Sequence, residues 1–134
     1  MLDITNASDL VTVSWNRFRN HDKTMLIGSS DSASADRGKL RVTFHHNSFE
    51  SLGQRAPRVR FGQVHVFNNF YEIENLGHYL YSWGVGIESA IFIDRFNGTA
   101  IHARGTLVNA SGRGIASTSS RPGTTGTIRT IQTS

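Results

Sequence analysis

The chain has 134 residues, 37% of them hydrophobic and 18% charged, with 14 Lys+Arg against 10 Asp+Glu for a net charge of +4. That is the size of one modest domain rather than two, and no apolar run approaches the roughly 18 residues of a membrane-spanning helix. The lack of cysteine closes disulfide and thiolate-metal chemistry, while the basic balance suits a polyanionic partner without choosing among nucleic acid, acidic polysaccharide and anionic membrane.

Met1 to Thr5 shows neither a basic nor an apolar leader region, so no export signal is expected in this sequence. Thirteen glycines against two prolines, with many Val, Ile, Thr, Ser and Asn, favour strands joined by tight turns. Leu2-Asp3-Ile4 reads as a short strand, Thr5 to Asp9 as a turn, and Val11 to Trp15 as a half-buried strand that ends at Asn16. The phrase from Val11 to Phe18 returns as Val42 to Phe49, again as Val64 to Tyr71, and in degraded form as Ile91 to Phe96. The intervals between the leading residues are 31, 22 and 27. Spacing of this size with one alternating strand per unit predicts a solenoid, mainly β, in a single domain over 1–134. Asn16, Asn47 and Asn69 close three successive units at the same place. They are expected in left-handed turn positions, with their amides hydrogen-bonded in a ladder along the coil axis.

Between the first two copies, His21 to Ile27 reads as an extended stretch and Gly28 to Gly38 as a polar loop inserted into a regular coil, with Asp31 and Asp36 solvated. Counting back from the repeated strands predicts that Asp3, Lys23 and Arg55 occupy one corner of three consecutive coils, stacked in a row at about 4.8 Å per step. Arg58 and Arg60, two apart after Pro57, fall on one side of their strand. The row of charge is expected to stop at Leu76, Gly77 and His78, and Tyr79 to Gly86 to form an aromatic, glycine-rich loop on the same side. His45 and His46, adjacent on a strand, should face opposite ways and serve structure rather than a metal. Trp15 is expected in packing, with Tyr81 and Trp83 as candidates to stack on sugar rings. The Gly, Ser and Thr-rich segment 111–134 reads as a loosely attached cover.

Three blocks carry a family resemblance: Asp22-Lys23 to Asp31, Gly38 to Asn47, and Gln54 to Asn69, which contains the phrase R-x-P-x-x-R at Arg55, Pro57 and Arg60. From Leu2 to Ile93 the chain resembles the pectate lyases of polysaccharide lyase family 1, nearest to the secreted, calcium-dependent bacterial type. The resemblance implies a right-handed parallel β-helix and β-elimination of de-esterified α-1,4-polygalacturonate outside the cell. It implies Arg55 as the base, Lys23 and Arg60 on the substrate carboxylate, Arg58 in the substrate site, and calcium bridging protein and sugar carboxylates. The chemistry suits the residue types, because removing a proton beside a carboxylate builds charge there, and preorganised cations stabilise that charge.

Asp3 matches the last aspartate of the family's calcium motif, and its upstream partner would precede Met1. The metal site is therefore expected to be incomplete, since calcium takes six to eight oxygens, and the open first coil is expected to self-associate. Two other functions compete: a β-helix fragment that binds polygalacturonate without turning it over, and a pectin lyase acting on esterified substrate. No nucleic-acid motif accompanies the basic residues, so neither nucleic acid nor membrane is expected as partner.

Overall fold

A computed structural model of the chain describes residues 1–72, 80–98, 100–101, 107–108 and 126–131, with side chains up to residue 93. The strands are β1 (Leu2–Ile4), β2 (Val11–Ser14), β3 (Arg17–Lys23), β4 (Met25–Ile27), β5 (Arg41–His45), β6 (Ser48–Gln54), β7 (Arg58–Val59), β8 (Gln63–Glu72), β9 (Gly84–Val85), β10 (Ser89–Gly98), β11 (Ala100–Ile101), β12 (Leu107–Val108) and β13 (Gly126–Ile131). One turn of 3-10 helix, Ser34–Asp36, interrupts the loop between β4 and β5.

Within the two parallel sheets, no strand pairs with its neighbour in sequence. A short sheet runs β1-β4-β7-β9, and a long one runs β2-β5-β8-β10-β13 with β3 and β6 attached. All of these pairs are parallel, whereas β11 and β12 form a separate antiparallel pair. Each coil thus contributes one strand to the short sheet and one extended, bent stretch to the long sheet. This is the expected right-handed parallel β-helix. The repeat predicted from the sequence is also the register observed: Val11 lies opposite Val42, Val42 opposite Val64, and Val64 opposite Ile91.

Alternation explains the long sheet. Val42, Phe44, Val64, Val66, Ile91 and Ile93 point inward and are buried, while Thr43, His65 and Phe92 between them face out. At the corner of each coil the chain turns through one left-handed residue, Trp15 (φ 58), His46 (φ 54) and Asn68 (φ 52). The asparagines come one residue later. The expectation that the asparagine itself adopts the left-handed geometry is therefore corrected: the preceding residue turns, and the turn aims the asparagine inward.

The ladder itself is present. Asn16 Nδ2 donates to Asn47 Oδ1 at 3.3 Å and Asn47 Nδ2 to Asn69 Oδ1 at 3.1 Å. The backbone N–H of Asn16 and of Asn47 reaches the same oxygens at 3.0 and 2.9 Å. Val13 O and Phe44 O accept from the amides of Asn47 and Asn69. The position opposite Asn69 in the next coil is Phe96, which ends the series.

Beside the ladder, Phe18 stacks on Phe49 at 5.4 Å and Phe49 on Tyr71 at 4.8 Å. Trp83 closes this column edge-on, its Nε1–H donating to Tyr71 Oη at 3.0 Å. Burial pushes the Tyr71 hydroxyl well above its ordinary pKa. The segment around Trp83 is therefore not the surface loop expected from its composition. Trp83 is fully buried, and Gly84–Val85 is a rung of the short sheet. Leu76, Gly77, His78 and most of 111–134 lie outside the described residues, although Gly126–Ile131 forms β13 beside β10.

Asn47 is 2% exposed and holds Asn16, Val13 and Asn69 together. Asn47→Ala leaves the Val13 carbonyl and the Asn16 N–H without partners, each costing about 1–3 kcal/mol. Urea denaturation should show a loss of roughly 3 kcal/mol, with a much smaller loss for Asn16→Ala at the exposed end of the series.

Candidate active site

The short sheet has a core face and an outer face. Ile4, Ile27, Val59 and Val85 point in and are buried. Asp3, Leu26 and Arg58 point out in register, followed by Gly84. Asp3 and Arg58 thus stand two strand spacings apart, about 9–10 Å between backbones, with Leu26 between them.

Lys23 is not in that row. It lies opposite Gln54, which in turn bridges to Tyr81, and Arg55 follows Gln54 at the corner. The expected row of Asp3, Lys23 and Arg55 is corrected to two rows, Asp3-Leu26-Arg58 and Lys23-Gln54-Tyr81. The physical reason is the turns: the link from short to long sheet runs from Thr5 to Leu10 in the first coil and from Arg60 to Gly62 in the third. Counting back across links of unequal length does not preserve register.

Even so, the structure brings the basic residues together. Arg55 is left-handed (φ 63) and is followed by the cis Ala56-Pro57 bond, after which Arg58 of β7 and Arg60 just past its end flank the buried Val59. The Arg55 Nε is buried with no acceptor among the described residues. The Arg60 side chain is 13% exposed; its Nε donates to Asp31 Oδ1 at 2.9 Å and its Nη1 to Gly28 O at 3.3 Å. Burial and then the positive charge of Arg58 lower the Arg60 pKa from its ordinary value, Asp31 pulls the other way, and Arg55 adds a further lowering. Arg58 and Arg55 thus both lie near enough to Arg60 for their charges to act on it. Of Lys23, Arg55, Arg58 and Arg60, Arg60 is the one that makes a salt bridge among the described residues.

Asp31 and Asp36 are not the solvated loop acids that the sequence suggested. Asp36 is 2% exposed, and its Oδ1 accepts from the Ala7 N–H at 2.7 Å. The inserted loop is thereby tied at one end to Arg60 and at the other to the turn after β1. Composition showed the loop but could not show which acids fold back.

Two further expectations fail at the opposite corner. His45 and His46 do not diverge, because the left-handed turn at His46 swings its ring outward, and the two Nδ1 atoms come to 2.8 Å. Trp15 is 76% exposed and stacks on His46 at 4.6 Å instead of packing inside. Trp83, buried in the column described above, is in no position to meet a sugar. Among the described residues no group of three or more His, Asp or Glu is arranged to hold a metal ion.

Comparison with known proteins shows the family of the chain. A family model for pectate lyase matches residues 1–124. The pectate lyase of Bacillus subtilis (strain 168) is 41% identical over 129 residues, which covers 81% of this chain and 31% of that protein. Pectate lyase E of Dickeya chrysanthemi is 43% identical over 138 residues, 82% of this chain and 36% of the relative. Among solved structures, a thermostable pectate lyase superposes with a TM-score of 0.67 at 56% identity, covering 70% of this chain and 23% of that one. A pectate lyase bound to a hexasaccharide superposes at 0.62 and 37% identity, covering 81% and 34%. The chain spans about a third of the length of the curated relatives it matches. With the family model covering nearly all of it and its coils superposing on theirs, the chain belongs to the pectate lyase family.

Proposed function

We propose that the outer face of the short sheet binds de-esterified α-1,4-polygalacturonate and opens it by β-elimination. The observation that carries this reading is the R-x-P-x-x-R phrase itself, set so that Arg58 and Arg60 flank buried Val59, Arg55 lies near enough to act on Arg60, and Lys23 sits beside the corner. In the reaction Arg55 takes the proton from C5 of a galacturonate. The freed electron pair forms the C4–C5 double bond, the C4–O bond breaks, and the departing oxygen takes a proton from solvent. Lys23 and Arg60, with Arg58 nearby, hold the carboxylate on which charge builds, and their attraction grows as the proton leaves. An arginine is ordinarily protonated throughout the working pH range, so the base role rests on the family phrase rather than on a feature of the described site. A polymer of this kind is met outside the cell, and the proposal carries an extracellular place of action.

The resemblance assigns calcium to the same carboxylate. Asp3 lies on the right face, but it is a single carboxylate, and calcium takes six to eight oxygens. The described residues do not amount to a calcium site, and no step is routed through one.

Unsaturated uronate released from polygalacturonate, followed by near-ultraviolet absorbance with calcium and then with chelator, tests the function. A calcium-dependent rise is expected, with a hundredfold or greater loss in Arg55→Gly, in line with the roughly 10²–10⁴ that a general base contributes. Folding should hardly change in this variant. Glycine relieves a left-handed residue, worth about 1–2 kcal/mol, and costs about 0.5–1 kcal/mol in chain entropy, so denaturation midpoints should agree closely. Binding of oligogalacturonate by the folded chain without any rise would leave the binding reading in place of the enzyme.

A further inference from the structure

The inserted loop between β4 and β5 does more than interrupt the repeat. It leaves the short sheet at Gly28 (φ 86), where a side chain is excluded because an added Cβ would come within 2.4 Å of the Arg60 carbonyl oxygen. From there it returns the Asp31 carboxylate to Arg60 Nε at 2.9 Å, and its other acid, Asp36, is anchored on Ala7. The Gly28 N–H donates to Ile4 O at 2.9 Å and Asp36 holds Ala7, so the segment that carries Asp31 is anchored on either side of it. It meets Arg60, whose side chain is 13% exposed, and leaves Lys23, Arg55 and Arg58 without a carboxylate among the described residues.

We propose that Asp31 is a positioning residue for the substrate carboxylate. It holds the Arg60 guanidinium by its Nε edge, and it cancels one charge of the arginine cluster, so that the site grips a polyanion less tightly than three arginines alone would. This rests on the functional reading given above. Two effects can be separated by chemistry. Asparagine keeps an oxygen for Arg60 Nε but removes the charge, and alanine removes both.

The test titrates trigalacturonate into the unmodified chain, Asp31→Asn and Asp31→Ala at low and high salt, with turnover of polygalacturonate and thermal midpoints measured alongside. Both variants should bind about threefold more tightly at low salt, with the difference closing at high salt, as expected when a like charge near the ligand is removed. Turnover should fall about tenfold or more in Asp31→Ala, and Asp31→Asn should recover most of that loss. A structural role alone would move the thermal midpoints without changing the salt dependence of binding or separating kcat from KM. If the unmodified chain binds trigalacturonate and both variants match it in affinity and salt dependence, the proposal is overturned while the functional reading stands. If the unmodified chain neither binds nor cleaves, the functional reading fails and takes this proposal with it.

Discussion

The structure depends on parallel rungs kept in one register, and the corner asparagines are the interaction that enforces it. An amide side chain both donates and accepts, and the asparagines inside the stack are satisfied by the amide one strand spacing away together with backbone groups of the neighbouring coil. Asn47 and Asn69 are 2% and 1% exposed, where unpaired polar groups cost about 1–3 kcal/mol each. A slip of one residue would break these pairs and would also turn Val42, Phe44, Val64 and Val66 outward. The long sheet's register is thus specified twice, by apolar alternation and by the ladder.

The short sheet inherits that register. β7 and β9 are two residues long, too short to specify a pairing by alternation alone. Their inward residues Val59 and Val85 are buried, which leaves the outer face free to carry charge. Features that would weaken an independent sheet are gathered at its third rung: the like charges of Arg58 and Arg55 acting on Arg60, a left-handed Arg55, and a buried Arg55 Nε with no acceptor among the described residues. Strain and unpaired polarity of this kind persist where the surroundings over-determine the geometry, and here the long sheet does so.

The parts of this architecture that were legible in the sequence are those written with a period. The intervals among Val11, Val42, Val64 and Ile91 were the registers, and three asparagines at one phase were the ladder. What was not legible lay between or across periods. Turn lengths differ from coil to coil, so Lys23 and Asp3 could not be aligned with Arg55 by counting. A left-handed residue breaks the alternation of a strand locally, which is why His46 turned toward His45 and Trp15 turned out. A two-residue strand such as Gly84–Val85 has no period to read, and Trp83 before it looked like loop. The polar loop had the composition of a solvated excursion. Nothing in that composition distinguishes an acid that faces water from one that folds back on Arg60.

Topology explains why that loop can serve the charged face. β4 is paired with β1 on one side and β7 on the other, and the chain leaving it at Gly28 is held by both neighbours: the Gly28 N–H donates to Ile4 O at 2.9 Å, and the Arg60 N–H donates to Ile27 O at 2.8 Å. A loop that departs there starts one strand spacing from the turn after β1 and one from the end of β7, so a short polar segment can reach Ala7 and Arg60 together. A loop leaving β9 would start a rung beyond Arg60 and two rungs farther from β1, and the same segment could not span both. The repeat therefore restricts where an acid can be introduced to temper the arginine cluster, and the insertion sits at the rung that meets the restriction.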